Sequence, residues 1–274
     1  FDILSKILPS EVSGSVSTLP GSFKEFIFDD EEQGDQIIRN LGFCGNHIKQ
    51  LRESTGKDLH LGLEPEPLGW FENTTETINF FERFRSVHGD KFNSIIGVNY
   101  DTCHLAIEYE NANESLSLLK EKDIRISKLH LSSALKLEPD SKTLNYLESY
   151  EEDVYLHQVI ARYENGKLIR FRDLPDAIRD LKNNSGESAV EWRVHFHIPL
   201  HASPSEGFSD TKDHIKQTLE VLSLDPILCS HLEMETYTWE VLPKSMQSND
   251  VVDQLSLEYK WTLDELKSVG LISS

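Results

Sequence analysis

Acidic and histidine side chains stand at the ends of short apolar runs in this sequence. The run at 95–100 stops at Asp101, and His104 follows three residues later. An apolar run this short predicts a buried parallel strand, with Asp101 at its carboxyl end and His104 on the next turn. A carboxylate and an imidazole that meet at such a point are typical ligands of a metal ion. For this motif taken alone, a buried Asp that caps the following helix is the alternative interpretation.

Four further runs carry the same residue types, which makes packing alone a poor explanation. These runs lie at 60–66, 126–131, 192–198 and 231–236. Alternate residues of a strand point to one face, so His195 lies beside His197, and Glu64 beside Glu66. Burying so many ionisable groups without a cation costs several kcal/mol for each. The recurrence therefore predicts a site for a divalent metal, Zn²⁺ or Mn²⁺, at the carboxyl ends of the strands.

Strand-like and helix-like segments alternate along the chain. Strands are predicted at 15–19 and in the runs that end at Glu64, Asp101, His130, His197 and Glu235. Helical spacing of apolar residues is found at 35–53, 74–87, 113–122, 211–222 and 249–271. This order predicts an α/β fold, a TIM (β/α)8-type barrel, as a single domain over residues 1–274. Because the chain starts at Phe1, we expect the first strands of the barrel to be missing. An open doubly wound sheet is the alternative, but no strand is followed by Gly-x-Gly-x-x-Gly.

The segment 150–173 interrupts this alternation. Two alternating runs flank Asn165-Gly166, which is a strong β-hairpin signal. We therefore expect an inserted hairpin between the His130 and His195 strands, folded as a flap over the site.

Three residues are candidates for binding a substrate. His157 and Arg162 belong to the predicted flap, and Trp239 follows the last ligand strand. Solvated edge-strand charges and aromatic packing at the rim are the alternative interpretations.

The composition limits the classes of partner. The chain has 274 residues, with 27 Lys+Arg against 47 Asp+Glu and a formal net charge of -20. This charge repels phosphate backbones and anionic lipids, and no run is long enough to span a bilayer. We therefore expect a small-molecule metabolite as partner, with no nucleic acid and no membrane insertion. Three cysteines without a Cys-x-x-Cys spacing favour a reducing, cytoplasmic location.

Five motifs together resemble a known family. They are LEPEP at 63–67, DTCHL at 101–105, HLSSA at 130–134, VHFHIPL at 194–200 and HLEMETYTW at 231–239. With GVNYDTCH at 97–104, they resemble the xylose isomerase-like TIM-barrel superfamily, which includes sugar isomerases, epimerases and endonuclease IV. More narrowly, residues 16 to about 243 are similar to the EboE-type metabolite traffic family. That similarity implies a metabolite pathway with partner proteins.

The resemblance also implies a set of ligands. Four residues match those that hold one divalent ion in the epimerases: Glu64, Asp101, His130 and Glu235. Three more match the place where endonuclease IV builds a further zinc site: His104, His195 and His197. Nuclease activity is disfavoured because His195-Phe196-His197 stands where the nuclease has Asp-x-His, and because no histidine stands at 15–21.

The favoured function is a metal-dependent isomerase or epimerase of a small sugar-like or carbonyl metabolite. The ion would polarise a carbonyl and its neighbouring hydroxyl, while Glu64 and Glu235 exchange the carbon-bound proton. A metal-dependent hydrolase of a phosphorylated or acyl metabolite is the second class, and metal stoichiometry separates the two. A non-catalytic protein that binds or traffics a metabolite is the third.

Overall fold

The computed structural model describes residues 1–140, 143, 146–147, 155–183, 189–204, 207–236, 248 and 250–273. These residues form two compact units. The first unit comprises 1–101, 112–130 and 224–233, and the second comprises the described parts of 102–111, 131–223 and 234–274. The expectation of one domain over residues 1–274 stays a prediction.

Strands and helices alternate in the first half of the chain. The strands are β1 (Gly14–Thr18), β2 (Leu59–Leu63), β3 (Ile96–Asp101), β4 (Ile126–Leu131), β5 (Ala134–Leu137), β6 (Val159–Arg162), β7 (Leu168–Phe171), β8 (Glu191–His197), β9 (Phe208–Asp210) and β10 (Leu232–Met234). The α-helices of the described residues are α1 (Asp2–Ile7), α2 (Asp30–Thr55), α3 (Thr74–His88), α4 (Thr102–Ile107), α5 (Ala112–Glu121), α6 (Leu174–Asn183), α7 (Lys212–Leu224) and α8 (Val251–Ser268). Short 3-10 helices lie at Lys24–Phe26 and Gly89–Phe92.

A five-stranded parallel sheet forms the centre of the first unit. Its strand order is β1-β2-β3-β4-β10. Every residue of β2, β3 and β4 is buried, as expected for parallel strands covered on both faces. The helices α2 and α3 are preceded by the N-cap residues Asp29 and Asn73, whose side chains accept a hydrogen bond from the backbone N–H three residues on. Both helices therefore start at N-cap residues that the sequence supplies.

Gly97 allows β3 and β4 to approach closely. A Cβ atom at this position would lie 2.2 Å from the backbone carbonyl oxygen of Arg125. Only glycine fits there without moving one strand, and the strands β3 and β4 carry Asp101 and His130 at their ends.

The second unit is built around a separate antiparallel sheet. Its strand order is β7-β6-β8-β5-β9, and all four of its strand pairs are antiparallel. The core under this sheet contains Leu135, Val159, Trp192, Val194 and Phe196, each at most 2% exposed. The strand β8 lies at the centre of this sheet.

The prediction of a TIM (β/α)8 barrel is wrong. The strand with His195 and His197 is β8, which pairs antiparallel with β5 and β6 and is not a further parallel strand of the first sheet. The hairpin predicted at Asn165-Gly166 is present as β6–β7, and it is part of this antiparallel sheet. Its role as a flap over the site stays a prediction. A run of apolar and ligand-type residues predicts a buried strand but carries no information on its direction, so this pattern alone does not distinguish β8 from a strand of a parallel barrel.

Among the described residues, no helix combines the length and the apolar character needed to cross a bilayer.

Candidate metal-binding sites

Three buried side chains of the first unit bring metal-ligand atoms close together. A carboxylate oxygen of Glu64, a carboxylate oxygen of Asp101 and a ring nitrogen of His130 lie within 4.8 Å of one another. His130 Nδ1 is 3.2 Å from Glu64 Oε1 and 3.6 Å from Asp101 Oδ2. Two carboxylates and one imidazole are a donor set that Zn²⁺ and Mn²⁺ accept. This buried group could hold a divalent metal ion.

The parallel sheet places these three residues. Asp101 ends β3 and is paired in register with His130 on β4. Glu64 follows β2 directly, and its backbone N–H donates to the carbonyl of Thr18 at 2.9 Å. Neighbouring parallel strands end at the same edge of the sheet. Three consecutive strands therefore deliver one ligand-type side chain each.

Asn99 belongs to this group, although the sequence analysis does not identify it. The residue is 0% exposed, and its Nδ2 donates to Glu64 Oε2 at 2.7 Å. The same nitrogen lies 3.1 Å from His130 Nδ1. Asn99 stands two residues before Asp101 on β3, so the alternation of side chains along the strand is the signal that would have found it.

An ion pair lies next to His130 in the first unit. Lys128 has a side chain that is only 8% exposed, and its Nζ is 2.5 Å from Glu233 Oε2. The same carboxylate oxygen is 3.7 Å from His130 Nε2. The His130 imidazole and the Lys128 ammonium lower the pKa of Glu233 to about 2. Glu233 is therefore ionised at neutral pH.

The second unit contains a group of a different chemical kind. Cys103 Sγ and one ring nitrogen each of His195 and His197 lie within 4.8 Å of one another, and all three residues are buried. Cys103 belongs to α4, and both histidines belong to β8. A thiolate with two imidazoles suits zinc better than manganese. This group could hold a metal ion as well.

Hydrogen bonds select the tautomers of both histidines on β8. His197 Nδ1 donates to the backbone carbonyl of Glu235 at 2.8 Å. His195 Nδ1 donates to Gln158 Oε1 at 2.6 Å. A neutral imidazole carries one ring proton, so Nε2 of each ring presents its lone pair for metal binding. Gln158 is a second residue that the sequence analysis does not identify, and nothing in its spacing indicates this role.

His104 lies beside His195 in the same unit. Their Nε2 atoms are 3.1 Å apart, and the two rings meet edge to face. Two imidazole nitrogens at this distance either share a hydrogen bond or face one cation. The second unit therefore brings together three histidines of the predicted set: His104, His195 and His197.

Two other predicted residues lie around these histidines. Glu235 is half-buried, and its backbone carbonyl accepts the hydrogen bond from His197. His157 is 1% exposed, and its Nδ1 donates to the backbone carbonyl of His195 at 3.1 Å. The catalytic role of Glu235 and the substrate-binding role of His157 stay predictions.

Arg162 has contacts that hold its side chain within the second unit. Its guanidinium stacks on the ring of Tyr109, 4.8 Å from the centroid, and pairs with Glu191 at 3.2 Å. Substrate binding by Arg162 stays a prediction. Trp239 lies outside the described residues.

No protein-family model matches this chain, and no curated protein matches it either. The metal-binding interpretation therefore depends on the donor groups themselves.

Proposed function

We propose that this chain is a divalent-metal-dependent enzyme that acts on a small metabolite rich in oxygen atoms. The observation that carries the proposal is the buried set of Glu64, Asp101 and His130, with ligand-type atoms within 4.8 Å of one another. Two carboxylates that are 7% and 0% exposed are costly to bury unless cations compensate them. A divalent ion compensates both at once.

Three protein ligands leave coordination positions for a substrate. When bound, a divalent ion would polarise a carbonyl or hydroxyl of the metabolite and acidify the neighbouring carbon-bound proton. Glu64 is the carboxylate that we assign to moving this proton, because Asn99 fixes its Oε2 and leaves Oε1 on the side of His130. Isomerisation or epimerisation of a sugar-like or carbonyl compound uses this combination. A second carboxylate role for Glu235 stays a sequence-based prediction.

Metal analysis is the first test. Protein purified without added ions is analysed for bound metal and then titrated with Mn²⁺ and Zn²⁺. We expect Asp101→Asn to lose one bound ion per chain, since it removes a ligand charge without changing side-chain size. Asp225→Asn is the matched control, because Asp225 pairs with Lys120 at the surface of the same unit. Equal metal content in both variants would contradict the proposal.

Solvent exchange tests the reaction class. The metal-loaded protein is incubated in D₂O with a panel of small aldoses, ketoses and hydroxycarbonyl compounds, and products are followed by NMR. We expect deuterium to enter a carbon next to a carbonyl in at least one compound, and Glu64→Gln to abolish this exchange. Exchange that persists at the wild-type rate in Glu64→Gln would exclude the assigned role of Glu64.

The group in the second unit favours one alternative, a metal-assisted hydrolase that uses more than one ion. Cobalt substitution tests whether Cys103 binds metal, because a cobalt–thiolate bond gives a strong near-ultraviolet charge-transfer band. We expect Cys103→Ala to lose this band and Cys44→Ala to keep it, since Cys44 lies on α2 in the first unit. Two ions per chain together with hydrolysis of phosphate or acyl esters would favour the hydrolase over the isomerase.

A further inference from the structure

We propose that Glu233 is a positioning residue that, held by Lys128, orients His130 for metal binding through Nδ1. This inference rests on the proposed metal centre of the first unit. It adds a charged pair next to the proposed ligands Glu64, Asp101 and His130.

The Lys128 end of the ion pair is buried, and Lys128 lies on the same strand face as the proposed ligand His130. Lys128 and His130 are two residues apart on β4, so their side chains lie on the same face. The Lys128 side chain is 8% exposed, and its Nζ contacts Glu233 Oε2 at 2.5 Å and Ser17 Oγ at 3.3 Å. Lysine is rarely buried to this extent without an anionic partner. Lys128 and Glu233 therefore hold each other in place.

The two nitrogens of the His130 ring face different neighbours. Nδ1 lies 3.2 Å from Glu64 Oε1 and 3.6 Å from Asp101 Oδ2. Nε2 lies 3.7 Å from Glu233 Oε2, and Asn99 Nδ2 lies against the ring, 3.1 Å from Nδ1 and 3.4 Å from Nε2. Of these neighbours, only the Glu233 carboxylate can accept a proton from Nε2. A metal ion on Nδ1 requires the ring proton to be on Nε2, where it points to the carboxylate of Glu233.

A carboxylate that accepts the second ring proton of a ligating histidine fixes both the tautomer and the ring orientation. It also makes the ligating nitrogen a better donor. The contact of 3.7 Å is longer than a hydrogen bond, and a small rotation of the half-exposed Glu233 side chain closes it. Lys128 restricts Glu233 to the side where this contact can form.

Mn²⁺ binding measured by electron paramagnetic resonance tests the inference. Mn²⁺ is the probe because the oxygen-rich group of the first unit suits it, whereas the thiolate and imidazole group of the second unit suits zinc. We expect Glu233→Ala to raise the dissociation constant for Mn²⁺ about 10- to 100-fold, the usual effect of losing such a partner. Glu233→Asp keeps the carboxylate and is expected to restore part of the affinity.

Asp225→Ala is the matched control. It removes an ion pair of similar length, to Lys120 at 2.6 Å, in the same unit. Thermal melts in EDTA report how much each variant affects folding, and we expect Glu233→Ala to melt lower than Asp225→Ala, because it leaves the buried Lys128 ammonium without its carboxylate partner. Recovery of Mn²⁺ affinity in Glu233→Asp indicates that the carboxylate positions His130. A role of Glu233 in folding alone does not predict this recovery of affinity.

The outcomes separate this inference from the proposed function. If the wild type binds no Mn²⁺, the proposed metal centre fails and this inference fails with it. If Asp101→Asn loses Mn²⁺ but Glu233→Ala binds it as tightly as Asp225→Ala does, the metal centre stands and the positioning role is overturned. The same holds if Glu233→Asp binds no better than Glu233→Ala.

Discussion

Asn99 connects the ligand residues at the scale of single side chains. Its amide nitrogen lies 2.7 Å from Glu64 Oε2 and 3.1 Å from His130 Nδ1, and its Oδ1 has no hydrogen-bond partner among the described residues. A buried amide that donates to a carboxylate stabilises the charged form of that carboxylate. Asn99 therefore holds the Glu64 carboxylate on the side of the other ligands.

Asn99→Asp tests this arrangement. It would place a second carboxylate beside Glu64, and like charges at this distance repel strongly in a buried site. We expect the melting temperature in EDTA to fall, and Mn²⁺ to raise it by more than it raises that of the wild type. Asn165→Asp, in an exposed turn, is the control and should leave both values unchanged. An equal response to Mn²⁺ in the two variants would argue against a metal beside Asn99.

At the scale of elements, the sequence predicts where strands form better than it predicts which strands pair and in which direction. The apolar runs before Asp101 and around His130 were expected as parallel strands, and β3 and β4 are parallel neighbours. These two strands are predictable because all their residues are buried, and fully buried strands appear in a sequence as continuous apolar runs. In contrast, the run with His195 and His197 has the same composition but joins an antiparallel sheet. Strand direction depends on contacts between distant segments, which no local pattern encodes.

The helix α8 shows the same limit for helical faces. Within 249–271, the apolar residues Val251, Leu255, Leu257, Leu263 and Leu266 predict a helix. The first four of these are 42–48% exposed. In contrast, Gln254, Glu258 and Thr262, which are four residues apart and share one face of the helix, are at most 7% exposed. The apolar period predicts that a helix forms, but here it does not predict which face is buried.

Glu258 gives α8 a pH dependence that can be measured. Burial raises the pKa of its carboxyl from 4.5 to about 7, even though Thr236 and Gln254 donate hydrogen bonds to it. The unfolded chain loses this proton above pH 4.5, while the folded chain keeps it up to about pH 7. The contribution of Glu258 to the free energy of unfolding is therefore fully present below pH 4.5. It is lost as the pH rises to about 7, which lowers the free energy of unfolding by about 3 kcal/mol.

Glu258→Gln is expected to remove this slope, because glutamine does not titrate. The measurement is the free energy of unfolding in urea at several values between pH 4.5 and 7.5. Asp264→Asn, an exposed position on the same helix, is the control and should retain the wild-type slope. If both variants lose stability with pH as the wild type does, Glu258 is not the responsible group.

At the scale of the whole molecule, the formal net charge of -20 is the dominant electrostatic feature. An excess of like charge destabilises a compact state through self-repulsion, and salt screens this repulsion. The separate surface ion pairs contribute little in return, since exposed pairs are worth about 0 to 1 kcal/mol each.

We therefore expect the melting temperature to rise as NaCl is increased from low to physiological ionic strength. Differential scanning calorimetry in EDTA measures this effect without interference from divalent ions. A melting temperature that falls with added NaCl would mean that attractive ion pairs outweigh the net repulsion.

The two units are interleaved along the polypeptide. The chain leaves the first unit after Asp101 and again after His130, and it returns at Ala112 and at Leu224. The edge of β4 is covered by β10, which is supplied by residues close to position 233. During synthesis the ribosome releases β4 well before β10, so this strand edge stays uncovered until residues 232–234 emerge. We expect the first unit to finish folding only after β10 has left the ribosome, with a transient need for a chaperone to cover β4.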